Sequence, residues 1–174
     1  MNDAGFTLIE LMIVLVIVAI FLMIAAPSFY TTIKGNRLRT EADRLVTSLN
    51  LARSEAVKRN IDVVLCASSD GATCTGTLGQ GWLIFADLNQ DEALDNTDII
   101  VKVYEAVQSG YTISQTDGSA YPATNIVYYP NGSSNSPQAL QLCPTDKDAA
   151  AAWEVTVNAV GRVSASQGGN TCPA

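Results

Sequence analysis

The sequence predicts an α+β fold, with one long N-terminal helix packed on an antiparallel β-sheet head. The first of three observations is an apolar run over residues 6–26, in which only Thr7 and Glu10 are polar. The second is an apolar stripe at helical spacing over residues 38–56. The third is a change, after Asn60, to short alternating segments rich in β-branched and aromatic residues. A single long helix before a run of strands is typical of α+β proteins.

The apolar run is long enough to cross a bilayer, which takes about 20 apolar residues in a helix. We therefore predict a transmembrane helix segment at 6–29. Glu10 lies inside it, where a carboxylate costs roughly 2.5–3.5 kcal/mol on insertion scales, so we interpret Glu10 as functional and expect a partner charge. Cleavage after Gly5 would create such a charge, an α-amine on Phe6, about one helical turn from Glu10.

Residues 30–59 are predicted to continue the helix as an amphipathic stalk. Apolar residues recur at alternating spacings of four and three, which places them on one helical face: Leu38, Ala42, Leu45, Leu49, Ala52 and Ala56. Such a face must be covered, and we expect the sheet of the head to cover it.

Residues 60–174 form the predicted β-rich head, about 115 residues long and therefore large enough for one domain with its own core. Seven segments have the composition and alternation of strands: 61–66, 81–86, 99–104, 111–114, 125–129, 139–142 and 153–157. Residues that favour turns separate these segments, which predicts short connections between antiparallel strands.

The head contains all four cysteines, Cys66, Cys74, Cys143 and Cys172, and the chain has no histidine. No Cys-x-x-Cys pair is present, so the cysteines indicate disulfides rather than a zinc site, provided that the head is exported. Four cysteines allow three connectivities, and the sequence does not select one. Pairing of neighbours along the chain would join Cys66 to Cys74 and Cys143 to Cys172.

The motif GFTLIE at residues 5–10 resembles the class III signal of type IV prepilins and type II secretion pseudopilins. The resemblance implies that a membrane peptidase cuts between Gly5 and Phe6, removes residues 1–5 as a leader peptide and methylates the new amine of Phe6. It also implies that Glu10 neutralises the Phe6 amine of a neighbouring subunit during assembly. The fold implied is type IV pilin-like.

Further segments resemble the minor pilins of the FimT and FimU type, which are relatives of the GspH pseudopilin. They are 36–39 (NRLR), 49–60 (LNLARSEAVKRN), 64–66 (VLC), 81–82 (GW) and 161–163 (GRV). The resemblance implies a single-pass protein of the bacterial inner membrane with its head in the periplasm, later incorporated at the tip or priming complex of a type IV pilus. Implied partners are other minor pilins, the major pilin, the prepilin peptidase and the inner-membrane assembly platform. A minor pseudopilin of a type II secretion system remains an alternative.

Catalysis and DNA binding have little support. Without histidine the chain lacks the commonest general acid or base at neutral pH. Some FimT-type relatives take up DNA through a Gly-Arg-x-Arg element, whereas this chain has Ser164 in place of the second arginine. Residues 60–174 contain three Lys or Arg against twelve Asp or Glu, a net charge of −9 that repels phosphate backbones. We therefore expect no enzyme activity and weak or absent DNA binding, and a DNA-binding minor pilin that serves DNA uptake is the second alternative.

One acidic segment has the spacing of a calcium loop. Oxygen ligands occupy positions 1, 3, 5, 9 and 12 of the pattern: Asp87, Asn89, Asp91, Asp95 and Asp98. Position 6, usually glycine, is Glu92. The alternative interpretation, a solvated acidic hairpin between two strands, is favoured because short motifs often match by chance. We therefore expect no cofactor.

Overall fold

The computed structural model describes residues 7–115, 125–135, 137–168 and 172, without the side chains of 24–28. The chain divides into two compact units, Met1–Asn36 and Arg37–Ala174. One helix, α1, covers Leu8–Arg59 and contributes to both units. It continues without interruption through the positions of Pro27 and Gly35, where the sequence favours a bend.

In the first unit, α1 begins after Thr7. The backbone N–H of Glu10 donates to the Thr7 hydroxyl at 3.3 Å, and that of Leu11 donates to the Thr7 carbonyl at 3.2 Å, so Thr7 acts as the N-cap. Across the described residues, no helix combines the length and hydropathy that a membrane span needs. The predicted leader (1–5), residue 6 and the side chains of 24–28 lie outside the described residues, and the segment 6–29 stays a prediction.

The second unit contains the C-terminal part of α1 and eight strands. All six residues of the predicted apolar stripe are fully buried, which confirms the face assigned from their spacing. The strands are β1 (Asp62–Ala67), β2 (Gly81–Asp87), β3 (Ile99–Glu105), β4 (Tyr111–Gln115), β5 (Ile126–Tyr128), β6 (Gln138–Pro144), β7 (Trp153–Val157) and β8 (Val163–Gln167). Two short 3₁₀ helices, Leu78–Gln80 and Ala149–Ala151, lie between strands.

The strands form two four-stranded antiparallel sheets rather than one, with the orders β3-β2-β1-β5 and β4-β6-β7-β8. The seven predicted strands are all present, whereas β8 was missed. Its sequence, VSASQ, has a single β-branched residue and resembles a polar loop. Pairing with β7, directly across the turn at residues 158–161, makes it a strand.

Two apolar clusters hold the second unit together. The main cluster joins the stripe of α1 to side chains from both sheets, including Trp82, Ile84, Leu140 and Val155. A smaller one, named the outer cluster, lies on the other face of the first sheet and consists of Val64, Cys66, Leu83, Phe85 and Val127. Cys74, Leu94 and Tyr129 pack against it. Because the first sheet is covered on both faces, all seven residues of β2 are buried.

Two disulfides include all four cysteines and join the pairs that are closest along the chain. Cys66 bonds to Cys74 with a Cα–Cα distance of 5.5 Å, and Cys143 bonds to Cys172 at 5.8 Å. The first ties a loop against the outer cluster, and the second ties residue 172 to β6.

Candidate functional site

Glu10 is the described residue of the predicted processing and assembly site; Gly5 and Phe6 lie outside the described residues. Glu10 lies in the first turn of α1, where the positive end of the helix dipole favours a carboxylate. Its neighbours Leu8 and Leu11 are 77% and 55% exposed. Among the described residues, no side chain donates a hydrogen bond to the Glu10 carboxylate. Within the part of the chain that the structure describes, the first turn thus presents one acid without a side-chain partner, beside exposed apolar residues.

Arg53 joins α1 to both sheets of the second unit. Its Nε donates to the carbonyl of Gly132 at 2.9 Å, in the connection after β5, and its Nη2 donates to the carbonyl of Val160 at 3.1 Å, in the turn before β8. The backbone N–H of Ser134 also donates to the carbonyl of Ala159 at 3.1 Å, which links the two turns directly. One arginine thus positions a turn from each sheet. The sequence analysis quoted Arg53 in a family segment without assigning it this role.

Gly161 makes this close approach possible. Its φ is +75°, and a Cβ at this position would lie 2.0 Å from the carbonyl oxygen of Gly132. Only glycine fits such a site, both for conformation and for space. Arg162, next in the chain, is exposed, and its backbone N–H donates to the Asn158 side chain at 2.8 Å. The Gly-Arg pair singled out in the sequence is therefore part of a tight turn.

A second junction stacks Arg44 of α1 on aromatic rings. The rings of Trp82 and Tyr104 are stacked with centroids 5.2 Å apart, and the Arg44 guanidinium lies 4.6 Å from the centroid of Trp82. Glu41, almost fully buried, pairs with Arg44 at 3.0 Å and accepts from the backbone N–H of Gln108 at 3.4 Å. Trp82 is fully buried. The cation–π contact stabilises the junction between α1 and the first sheet.

The acidic segment between β2 and β3 uses its carboxylates to organise its own backbone. Asp87 accepts from the backbone N–H groups of Gln90 at 2.7 Å and Glu92 at 2.8 Å. Asp98 accepts from the backbone N–H groups of Leu88 and Asp95, both at 3.0 Å. The segment therefore keeps its shape through hydrogen bonds within itself.

The remaining candidate ligands behave in the same way. The Asn89 amide donates to Asp91 at 2.9 Å and to Asp95 at 3.1 Å. Hydrogen bonds from Thr97, first from its hydroxyl and then from its backbone, lower the pKa of Asp95. Within the described parts of the chain, no three acidic, histidine or cysteine side chains are grouped so as to hold a metal ion. The expectation that this segment holds no cofactor stays a prediction.

The same segment affects the charge of its neighbour on β1. Asp62 lies opposite Asp87 in the β1–β2 ladder. Burial raises the pKa of Asp62, and the charges of Asp87 and Glu92 raise it further. This end of the first sheet therefore concentrates negative charge.

Comparisons with known proteins agree with the motifs and the fold. Residues 1–26 match a family model described as the prokaryotic N-terminal methylation motif, and residues 41–161 match one described as type II transport protein GspH. A curated relative, the pilin-like protein PilA1 of Thermus thermophilus, is 35% identical over 97 residues, which are 55% of this chain and 55% of that protein. The chain thus spans about half the length of this curated relative.

Two solved structures share the fold. The type IV minor pilin FimU of Pseudomonas aeruginosa has a TM-score of 0.62 at 17% identity, over 79% of this chain and 96% of that one. The minor pseudopilin EpsH from the type II secretion system of Vibrio cholerae has a TM-score of 0.54 at 15% identity, over 78% of this chain and 97% of that one. These likenesses confirm the predicted architecture, a long helix packed on antiparallel strands. Because the GspH model covers more than half of the sequence, this chain belongs to the GspH family of minor pilins and pseudopilins, which are structural subunits rather than enzymes.

Proposed function

We propose that this chain is a minor pilin of a type IV pilus, incorporated at the tip or priming complex, where it helps to start filament assembly. The observation that carries the proposal is Glu10, a carboxylate on the apolar N-terminal part of α1 that no described side chain pairs with. The FimT-like and FimU-like segments support the pilus over the alternative, a minor pseudopilin of a type II secretion system, whereas the GFTLIE motif is common to both.

The proposed mechanism is assembly chemistry. Cleavage after Gly5 exposes the amine of Phe6, which is methylated, and the Glu10 carboxylate pairs with such an amine on a neighbouring subunit. In an apolar setting an unpaired charge is costly, so each group favours the arrangement that brings the two together. Burial of the apolar helix surface supplies attraction, and the ion pair sets the position of one subunit against the next.

This mechanism defines partners and location. The prepilin peptidase processes the chain at the bacterial inner membrane, the head folds in the periplasm, and the assembly platform combines it with other minor pilins and the major pilin. The two disulfides suit an oxidising compartment. We propose no DNA-binding role, because Arg162 is a single arginine on a head of net charge −9.

The proposal is tested in a host that has type IV pili, a type II secretion system and active peptidase. Intact-mass analysis is expected to show loss of residues 1–5 and addition of one methyl group. The processed chain is expected in sheared pili, at one end by immunolabelling, and absent from them when pilus genes are deleted. Retention of residues 1–5, or recovery only with secretion pseudopilins, would contradict the proposal. A retardation assay that detects DNA binding lost in Arg162→Ala would restore the DNA-uptake alternative.

A further inference from the structure

The two edge strands of the first sheet, β5 and β3, differ in whether another part of the chain hydrogen-bonds to their outward side. At the β5 edge the chain covers itself: Asn135 donates its backbone N–H to the carbonyl of Val127 at 3.0 Å, and its side chain accepts from the N–H of Val127 at 3.2 Å. Tyr128 and Ser134 form an isolated bridge beside it. The β3 edge has seven residues, and within the described chain its outward side receives one hydrogen bond, from Arg44 to the carbonyl of Glu105. The β3 edge is therefore open for pairing.

The open edge is also apolar. Ile100 and Val103, which are 42% and 44% exposed, lie opposite Phe85 and Leu83 in the β2–β3 ladder. Phe85 and Leu83 belong to the outer cluster, so a buried apolar surface continues to the edge, where Ile100 and Val103 stay partly exposed although Gly71 lies close to Val103. By contrast, β8 at an edge of the second sheet exposes mainly serine, alanine and glutamine. An exposed apolar edge strand is the part of a sheet most suited to pairing with another chain.

The single lysine of β3 is positioned away from this apolar edge. A register shift between Ile84 and Phe85 marks a bulge in the ladder, and it places Lys102 opposite Ile84, a member of the main cluster. The Lys102 ammonium lies 5.1 Å from the centroid of the Tyr104 ring, on that same side. The outer side of β3, with Ile100 and Val103, is thus left without a positive charge.

Negative charge surrounds the beginning of the edge. No Lys or Arg occurs between Arg59 and Lys102. The acidic segment that leads into β3 exposes three carboxylates, Asp91, Glu92 and Asp95, beside the half-buried Asp98. We propose that β3 pairs with an extended strand of another pilin-class subunit, and this inference rests on the proposed function. Apolar side chains of that strand cover Ile100 and Val103. Lys or Arg of that strand lies against the acidic segment. A second copy of this chain fits poorly, because two heads of charge −9 repel each other.

The experiment replaces Val103 with photoreactive benzoylphenylalanine in the full-length chain, in the piliated host. The matched control carries the same probe at Ala165 on β8, an exposed position on an edge of the second sheet. We expect a cross-link from position 103 to another pilin-class subunit, at a strand that contains Lys or Arg, and at least about tenfold less product from position 165. Equal yields at the two positions, or none at 103 in assembled pili, would overturn the inference. A cross-link to a second copy would overturn the choice of partner.

Charge substitutions sharpen the result. With the probe at 103, Ile100→Lys is expected to reduce the cross-link about tenfold because it places an ammonium in the apolar contact. Glu92→Lys, at an exposed side chain whose charge also acts on Asp62, is expected to reduce the cross-link by reversing the charge that attracts the partner. Ser166→Lys on β8 is the control, and thermal melting checks that every variant is folded. If the chain is found in pili but position 103 cross-links nothing, this inference alone fails. If position 103 cross-links a secretion pseudopilin and the chain is absent from pili, the proposed function fails and the edge contact stands.

Discussion

The two parts of α1 use apolar side chains in opposite ways. Every large apolar side chain between Leu8 and Met23 is at least 46% exposed, on all sides of the helix. Between Leu38 and Ala56, six apolar residues are fully buried on one face, and exposed charged residues such as Asp43 lie elsewhere on the helix. An exposed apolar surface is suited to contacts outside its own unit, whereas a single buried stripe contributes to the core of the folded head. The first part of α1 is therefore expected to determine assembly, and the second part the stability of the head.

The largest difference is expected from matched leucine substitutions. Leu45→Ala removes a fully buried side chain from the main cluster and is expected to destabilise the second unit by about 2–5 kcal/mol. Leu15→Ala, at a side chain that is 59% exposed, is expected to change its stability by less than about 0.5 kcal/mol. Urea unfolding of the full chain in detergent, followed by tryptophan fluorescence, measures both. If Leu45→Ala and Leu15→Ala lower the free energy of unfolding equally, the two parts of α1 do not have separate roles.

Gly161→Ala is expected to lower the free energy of unfolding by about 3 kcal/mol. The new Cβ would meet the Gly132 carbonyl, and the alanine would have to keep a positive φ. Gly110→Ala is the control, since Gly110 also has a positive φ, +95°, but no atom within 4 Å of an added Cβ. Its cost is expected to be about 1 kcal/mol, from conformation alone. The same urea unfolding compares them. If Gly161→Ala lowers the free energy of unfolding no more than Gly110→Ala does, the close packing beside Arg53 does not contribute to stability.

A smaller, pH-dependent effect is expected at Asp62. Since its pKa is raised in the folded state, chiefly by burial, ionisation opposes folding, and this penalty is absent below the unfolded-state pKa and grows as pH rises through the folded-state value. Asp62→Asn is therefore expected to raise the melting temperature at neutral pH, and the gain should vanish as pH falls below about 3.9. Asp43→Asn, at an exposed carboxylate, should show no such gain. A gain at Asp62 that persists at low pH would contradict the electrostatic explanation.

The smallest effect on stability is expected from Glu10→Gln, because Glu10 belongs to the first unit and melting of the head reports on the second. Its thermal melting should equal that of the unaltered chain. Recovery of the variant in sheared pili should nevertheless fall strongly, since glutamine keeps the shape of the side chain but cannot neutralise an amine. Leu11→Ala, a neighbouring exposed position, controls for a general change in the apolar surface. Normal recovery of Glu10→Gln would show that this subunit assembles without the ion pair.

Local patterns predicted much of the fold. The spacing of Leu38, Leu45 and Leu49 identified the buried face of α1, because helical periodicity depends only on neighbours along the chain. Alternation identified seven strands for the same reason. It missed β8, which is a strand because of its pairing with β7 rather than its composition. Of the site residues, Glu10 was found as a charge in an apolar run, whereas Arg53 had no comparable signal.

By itself, then, the sequence determined the α+β class, the apolar and amphipathic parts of α1, and the methylation motif. Each of these features depends on residues that are consecutive or periodically spaced in the sequence. Only the tertiary structure divided the strands into two sheets, brought Arg53 to Gly132 and Val160, and left β3 as an open apolar edge. These features depend on contacts between residues far apart in the chain, such as Arg53 and Val160, which are separated by 107 in sequence. Local propensity does not report which distant segments meet, because packing against the common core decides it.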